Sequence, residues 1–310
     1  MDQRLPIDQK ASLLMLLLCS VWAMQQVLLK ATTPDFSPTL QLALRSGIGG
    51  ALVMLFVLLR GQRFDLKNGT LLPGLAAGFL FSFEFFLVSI SVQLTSAAHL
   101  VVFLYTAPIF AALGLAYFIP NERLKKLQWF GIALAFVGIA IAFGGGADQK
   151  SMSNIILGDL LALLAGASWG ATTVVVRATK LSQAPATQTL LYQLIACFVL
   201  LLGVAWITGD MRFNPTPLVL GSLFFQAVIV SFISFLVWFW LLKTYLASRL
   251  GVFSFLTPLL GVVLSSVLLD EQISERFIGG ALLVVSGITL VSAHSFIIQL
   301  VQGSKKEAEG

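Results

Sequence analysis

Along the chain, long apolar blocks alternate with short polar connections. A helix that crosses a bilayer needs about 20 mainly apolar residues. Ten blocks meet that requirement, over residues 11–30, 38–60, 71–93, 96–118, 126–144, 156–178, 187–207, 216–242, 246–269 and 276–298. The connections are too short to hold a soluble domain. The third, around residues 93–96, carries no formal charge, but Gln93, Thr95 and Ser96 suit a tight turn. The pattern predicts an all-α integral membrane protein of ten transmembrane helices. The first block lacks a small-residue cleavage site and has a counterpart later in the chain. It is expected to be a mature helix rather than a signal peptide.

Composition agrees. Of 310 residues, 58% are hydrophobic and 11% charged, whereas soluble domains carry about 25% charged residues. A water-soluble chain of this size could not hide so much apolar surface. The net charge of +5 does not signal nucleic acid, because the cations sit between the apolar blocks, where they set topology. Counted over alternate connections, fourteen Lys and Arg fall on one side and four on the other. The richer side holds the N-terminus, residues 60–67, 123–126, 177–180 and 243–249, and the C-terminus. Both termini are therefore expected in the cytoplasm. The remaining basic residue, Arg45, lies inside the second block. Cys19 and Cys197 lie in apolar blocks without metal-like spacing and read as small hydrophobes.

The chain also repeats itself. SLLMLLLCSVWAMQQVLLKAT (12–32) aligns with DLLALLAGASWGATTVVVRAT (159–179), which places Trp22 on Trp169 and Lys30 on Arg177. FLYTAPIFAAL (103–113) aligns with FSFLTPLLGVV (253–263), placing Pro108 on Pro258. Glu122, Gly131 and Gly138 fall on Glu271, Gly280 and Gly287. Five helices per copy is an odd number, so the second copy must enter the membrane from the opposite face. Such inverted repeats are a mark of secondary transporters, in which two halves build two gates around one midplane site. The expected organisation is a first five-helix repeat over 11–144, a second, inverted one over 156–298, and a cytoplasmic tail over 299–310.

The blocks LTSAAHLVVFLYTAPIFAALGLAYFIPNERLKKLQWFGIALAFVGI (94–139) and ASRLGVFSFLTPLLGVVLSSVLLDEQISERFIGGALLVVSGI (247–288) resemble the signature half of EamA-type proteins of the drug/metabolite transporter superfamily. Each has a Ser/Ala-rich entry, a mid-helix Pro, a Glu after the helix and a glycine-bearing helix. The resemblance covers about residues 11 to 298. It implies a ten-helix metabolite transporter, often an exporter, with a central cavity lined mainly by helices 1, 3, 4, 6, 8 and 9. Aromatic amino acid exporters are one branch of that family. The resemblance does not fix the substrate.

Ionisable groups inside a membrane are costly and mark function. At 1.5 Å per residue, Arg45 lies roughly 10 Å below the outer boundary, Glu84 roughly 13 Å and His99 roughly 5 Å. Gln25 and Gln26 occupy the outer part of helix 1, so these polar groups gather in one zone. Glu84 is expected to face the cavity and bind a substrate amine or a coupling proton. Arg45, on one stripe with Gln41 and Gly49, is its candidate ion-pair partner. Trp22 and Trp169 recur at matched positions, each four residues before a polar residue, Gln26 and Thr173. With Tyr105 and His99, they complete the candidate substrate-binding set. Pro108 and Pro258 each remove a backbone donor, and either kink the helix for packing or hinge it for gating.

The expected function is export of small metabolites, most of all aromatic or large neutral amino acids, by alternating access. The alternative is a proton-coupled exporter of cationic drugs that uses Glu84. No zincin, nucleophile-elbow or phosphate-loop motif is present, so an enzyme is not expected. Neither are a cofactor, a metal or nucleic acid. The expected partners are a small-molecule substrate, the lipid bilayer and a proton, with the chain as monomer or homodimer. The expected location is a cell membrane, specifically a bacterial inner membrane.

Overall fold

The computed structural model describes residues 8–61, 69–118, 124–142, 149–245, 253 and 256–292. They form α1 (Gln9–Ala31), α2 (Pro38–Leu59), α3 (Leu71–Leu94), α4 (Ala97–Leu104), α5 (Ala107–Phe118), α6 (Lys126–Ala142), α7 (Gln149–Ala178) and α8 (Ala186–Thr208). After these come α9 (Pro217–Phe224), a π-helical stretch (Phe225–Ser234), α10 (Phe235–Thr244), α11 (Leu256–Leu269) and α12 (Glu275–Ser292). Among the described residues, seven segments are long and apolar enough to cross a bilayer. The helices α4 and α5 together make one of them, and α6 and α11 are shorter apolar helices.

Local chemistry sets the helix starts. Side-chain oxygens of Asp8, Ser37, Ser96 and Thr216 accept from the N–H groups of Ala11, Leu40, His99 and Val219, which would otherwise lack partners. Pro38 and Pro217 occupy first-turn positions, where a missing N–H costs nothing. Gly209, at φ +68°, closes α8 in the left-handed region. The Asp8 carboxylate also accepts from the Tyr245 hydroxyl at 2.9 Å, tying the start of α1 to the end of α10. The Ala11 amide holds that carboxyl below its usual range. Burial and the neighbouring Asp8 push the Tyr245 phenol up.

The bundle is turned inside out relative to a soluble protein. Leu59, Leu72, Phe79 and Ile207 are exposed, while Arg45, Gln41, Asp159 and Gln226 are fully buried. That arrangement suits a solvent of acyl chains, in which polar side chains face protein.

The main helix pairs join the first part of the chain to the second. In each of these pairs, one member comes from each half: α1 lies on α11 and on the π stretch, α2 on α8 and on the π stretch, α3 on α7 and α8, α4 on α7 and α11, and α6 on α12. Exchanging each helix for its counterpart returns the same set. The α6–α12 pair is the closest. A Cβ built at Gly138 would lie 2.6 Å from the Gly280 carbonyl oxygen, and one at Gly280 would lie 2.7 Å from that of Gly138. Gly74 and Gly78 likewise let α3 approach Tyr192 and Ala196 on α8.

The connections gather at two ends. At one, Ser37 N–H donates to the Arg212 carbonyl and Asn214 N–H to that of Asp35, while Phe36 meets Phe213 edge to face. At the other, Gln188 reaches the Thr70 hydroxyl at 3.0 Å.

Around Pro108 the fourth span is broken, not merely kinked. Helix α4 ends at Leu104 and α5 begins at Ala107. Thr106 Oγ1 donates to the Phe103 carbonyl at 2.6 Å. A Cβ at Gly166 would sit 2.8 Å from the Leu104 carbonyl oxygen, so α7 covers the group that proline deprives of its donor. Irregular backbone at membrane depth needs such cover. Pro258 is buried in the first turn of α11, and the matching carbonyl, that of Ser254, lies outside the described residues.

Candidate functional site

The stripe of Gln41, Arg45 and Gly49 on α2 faces the eighth span. Gln41 Nε2 donates to Ser222 Oγ at 2.7 Å, and Arg45 Nη1 donates to Gln226 Oε1 at 3.3 Å. A Cβ at Gly49 would fall 2.6 Å from that of Ser231. The three facing residues are spaced by four and then five positions. Five residues of α-helix turn through roughly 500°, which would carry Ser231 away from α2. The wider turns of the π stretch bring it back. π-Helical turns are uncommon and recur at functional sites.

Glu84 belongs to α3, which is fixed to α7 where Ser91 Oγ and Ser168 Oγ donate to the Gly158 and Leu80 carbonyls, each at 2.8 Å. Thr39 on α2 bonds Ser89 on α3 at 3.0 Å. The two helices are antiparallel there. Arg45, six residues beyond Thr39, and Glu84, five before Ser89, therefore come to about the same depth. They are not closed into an ion pair: Glu84 Oε2 has no hydrogen-bond partner, and neither do Arg45 Nε and Nη2. The contacts of the guanidinium are Gln226 and the Phe85 ring, whose centroid lies 4.1 Å from it. The aromatic run around Glu84 divides by face. Phe79 and Phe83 are exposed and stack on each other, whereas Phe81 and Phe85 are buried edge to face at 4.8 Å.

Among the described residues, seven buried polar atoms lack partners: Gln26 Oε1, Arg45 Nε and Nη2, Glu84 Oε2, Gln226 Nε2, Ser231 Oγ and Thr257 Oγ1. Most buried polar groups in proteins are hydrogen-bonded, so these atoms, on α1, α2, α3, the π stretch and α11, are candidates for a site. The set holds three N–H donors, two carbonyl or carboxylate acceptors and two hydroxyls that can do either. It can therefore bind both ends of a dipolar molecule.

The remaining expected residues fall around this set or away from it. Trp22 donates Nε1–H to Ser234 Oγ at 3.1 Å and meets Trp238 edge to face, tying α1 to the π stretch. Tyr105, in the break of the fourth span, meets Trp169 edge to face at 5.2 Å. Thr173 bonds its own helix through the Trp169 carbonyl at 3.2 Å.

His99 lies in a separate cluster. Its Nδ1 meets Asp159 Oδ2 at 2.9 Å, and its ring stacks on Phe277 at 3.9 Å. Asp159 also accepts from Thr95 Oγ1 at 2.7 Å. Lys30 donates to the Val92 and Thr95 carbonyls, each at 2.7 Å. Glu271 accepts from the Ala97 and Ala98 amides at 2.8 and 3.2 Å, so the acid that marks the repeat in the sequence caps a helix of the other half. Its counterpart, Glu122, lies outside the described residues.

The sequence reading passed over Asp159 and Gln226. Asp159 stands three residues inside its apolar block and looks like a boundary residue. Gln226 shares a face with Ser222 and Ser231 only if the turn is widened. A recess of about 660 Å³ near Gly69, Leu72, Arg177 and Lys180 contains none of the site residues. Among the described residues, no group of three or more His, Cys, Asp or Glu is placed to hold a metal.

Comparison with known proteins identifies the family and the fold. Two Bacillus subtilis proteins, the uncharacterized transporters YvbV and YoaV, are 26% and 25% identical to the chain, over 92% and 86% of it and 92% and 91% of their own lengths. A Salmonella typhimurium protein named "Probable amino-acid metabolite efflux pump" is 26% identical over 91% of this chain and 94% of its own. A solved crystal structure of 22% identity superimposes with a TM-score of 0.65, over 91% of this chain and 97% of that one, so the fold is shared. The EamA-like transporter family matches the sequence twice, over residues 9–144 and 156–293, and the chain is a multi-pass membrane protein that belongs to that family.

Proposed function

We propose that the protein is a secondary transporter that exports amino acids, aromatic or large neutral ones above all, by alternating access. The observation that carries this reading is the set of unpartnered polar atoms on Arg45, Glu84 and Gln226. It lies where α2 and α3 of the first half meet the π stretch of the second, so relative movement of the halves would expose it to either end. Ten helices in two inverted repeats, with both termini in the cytoplasm of a bacterial cell, are part of the proposal. The segregated connections and the basic-residue bias support them. The name of the Salmonella relative supports the cargo class. Trp22, Tyr105 and Trp169 offer aromatic surface beside the polar set.

Flux tests it. Purified protein in liposomes loaded with unlabelled phenylalanine is expected to accumulate labelled phenylalanine above protein-free liposomes, and to distinguish it from aspartate and lysine. Equal uptake with and without protein, across the neutral amino acids, would sink the reading. The second reading, proton-coupled export of cationic drugs, draws on the free oxygen of Glu84. Drug-dependent proton movement in the same liposomes would favour it.

A further inference from the structure

The geometry points to a specific ligand chemistry: we propose that Arg45 and Glu84 divide a zwitterionic α-amino acid between them, Arg45 holding the carboxylate and Glu84 the ammonium. The inference rests on the amino-acid reading above and names how that site recognises its cargo.

The argument starts from which nitrogens of Arg45 are free. Nη1 is taken by Gln226 Oε1, and one face of the guanidinium is covered by Phe85. The unpartnered nitrogens are Nε and Nη2. These two N–H groups lie parallel on one edge and form the fork that accepts a carboxylate bidentately. Gln226 Nε2, on the amide that holds Nη1, adds a third unpartnered donor. The fork is fixed before a ligand arrives. Arg45 is the largest fully buried side chain of the described residues and is held at its face and at one nitrogen.

A purely structural Arg45 would neutralise Glu84 directly, because a buried ion pair is tolerable only with good geometry and satisfied hydrogen bonds. Here the two charges share a level on neighbouring helices, yet neither the fork nor Glu84 Oε2 is satisfied. A zwitterion satisfies both. Its carboxylate takes the fork, and its ammonium takes Glu84 Oε2, with Gln26 Oε1 as a second free acceptor. The charge count favours the same ligand. One cation and one anion in the site are balanced before loading and after it, so no net charge is added at membrane depth. A cationic drug would leave the Arg45 fork unfilled and add a positive charge beside it.

The test is competition in the liposome assay. Phenylalanine methyl ester keeps the ammonium and loses the carboxylate. 3-Phenylpropionate keeps the carboxylate and loses the ammonium. Each is expected to inhibit uptake of labelled phenylalanine at least roughly tenfold less well than unlabelled phenylalanine, the loss of one charge-assisted contact. In Arg45→Gln the preference for phenylalanine over its ester is expected to collapse toward unity, while the preference over 3-phenylpropionate persists. An ester that competes as well as phenylalanine in the wild type overturns the proposal, whether or not Arg45→Gln folds. So does an Arg45→Gln protein that keeps the wild-type ratio. A wild type that moves no amino acid overturns the transport reading itself, whereas flux without charge discrimination overturns only the pairing.

Discussion

Replacing Glu84 by Gln is expected to leave the protein folded and to weaken its grip on amino acids roughly 10- to 150-fold, the equivalent of about 1.5–3 kcal/mol for a hydrogen bond to a charged group. Gln fills the same volume and keeps one oxygen, so the packing of Phe81 and Phe85 on either side is preserved. Little folding energy is at stake, because Glu84 Oε2 makes no hydrogen bond. What is lost is the negative charge. The substrate ammonium then meets a neutral amide, and the Arg45 cation stays in the site without its compensating anion. The half-saturation concentration for phenylalanine in liposomes, with a size-exclusion profile to confirm the fold, measures this. A wild-type value in Glu84→Gln would make Glu84 a structural residue.

The second large effect is on stability. Asp159→Ala removes the acceptor shared by His99 Nδ1 and Thr95 Oγ1. Asp159 is fully buried, so both donors are stranded away from water. Each unsatisfied buried group costs about 1–3 kcal/mol, and the sum is large against the stability of most folds. Replacing both members is expected to cost less. In Asp159→Ala/His99→Phe, one stranded donor is gone and the ring against Phe277 is kept, since offset aromatic stacking is itself favourable. Thermal unfolding in detergent should therefore rank wild type first, the double variant second and Asp159→Ala last. A single variant that melts with the wild type would show that the cluster holds nothing.

These two residues also mark how far the sequence could be read. The apolar blocks located the helices because lipid demands long apolar runs. The doubled glycines marked the repeat, but that Gly138 and Gly280 meet each other across the α6–α12 contact came only from the structure. Four-residue spacing was enough to read Gln41, Arg45 and Gly49 as one buried stripe. The partner of that stripe was not legible. Depth pointed Arg45 at Glu84, whereas its hydrogen bond goes to Gln226, from a helix whose widened turns leave no signature in an α-helical periodicity. Asp159 was missed for a related reason. An acid near the end of an apolar block reads as a boundary residue, and its buried partners, His99 and Thr95, come from other segments. Pro108 announced an irregularity but not its form, because the break at residues 105–106 depends on Gly166 in the other half to cover the freed carbonyl.

The central claim is that the polar set between α2, α3 and the π stretch is reached from both sides of the membrane and filled by the cargo. Ser231 tests it directly, since its hydroxyl is buried and unpartnered, and it packs on Gly49 of the Gln41–Arg45–Gly49 stripe. The measurement is labelling of Ser231→Cys by a membrane-impermeant thiol reagent, in a Cys19→Ala/Cys197→Ala background and in vesicles of each orientation. The account predicts slow labelling from both sides, and protection from both when phenylalanine is present. Labelling from neither side, or labelling that phenylalanine leaves unchanged, would contradict it.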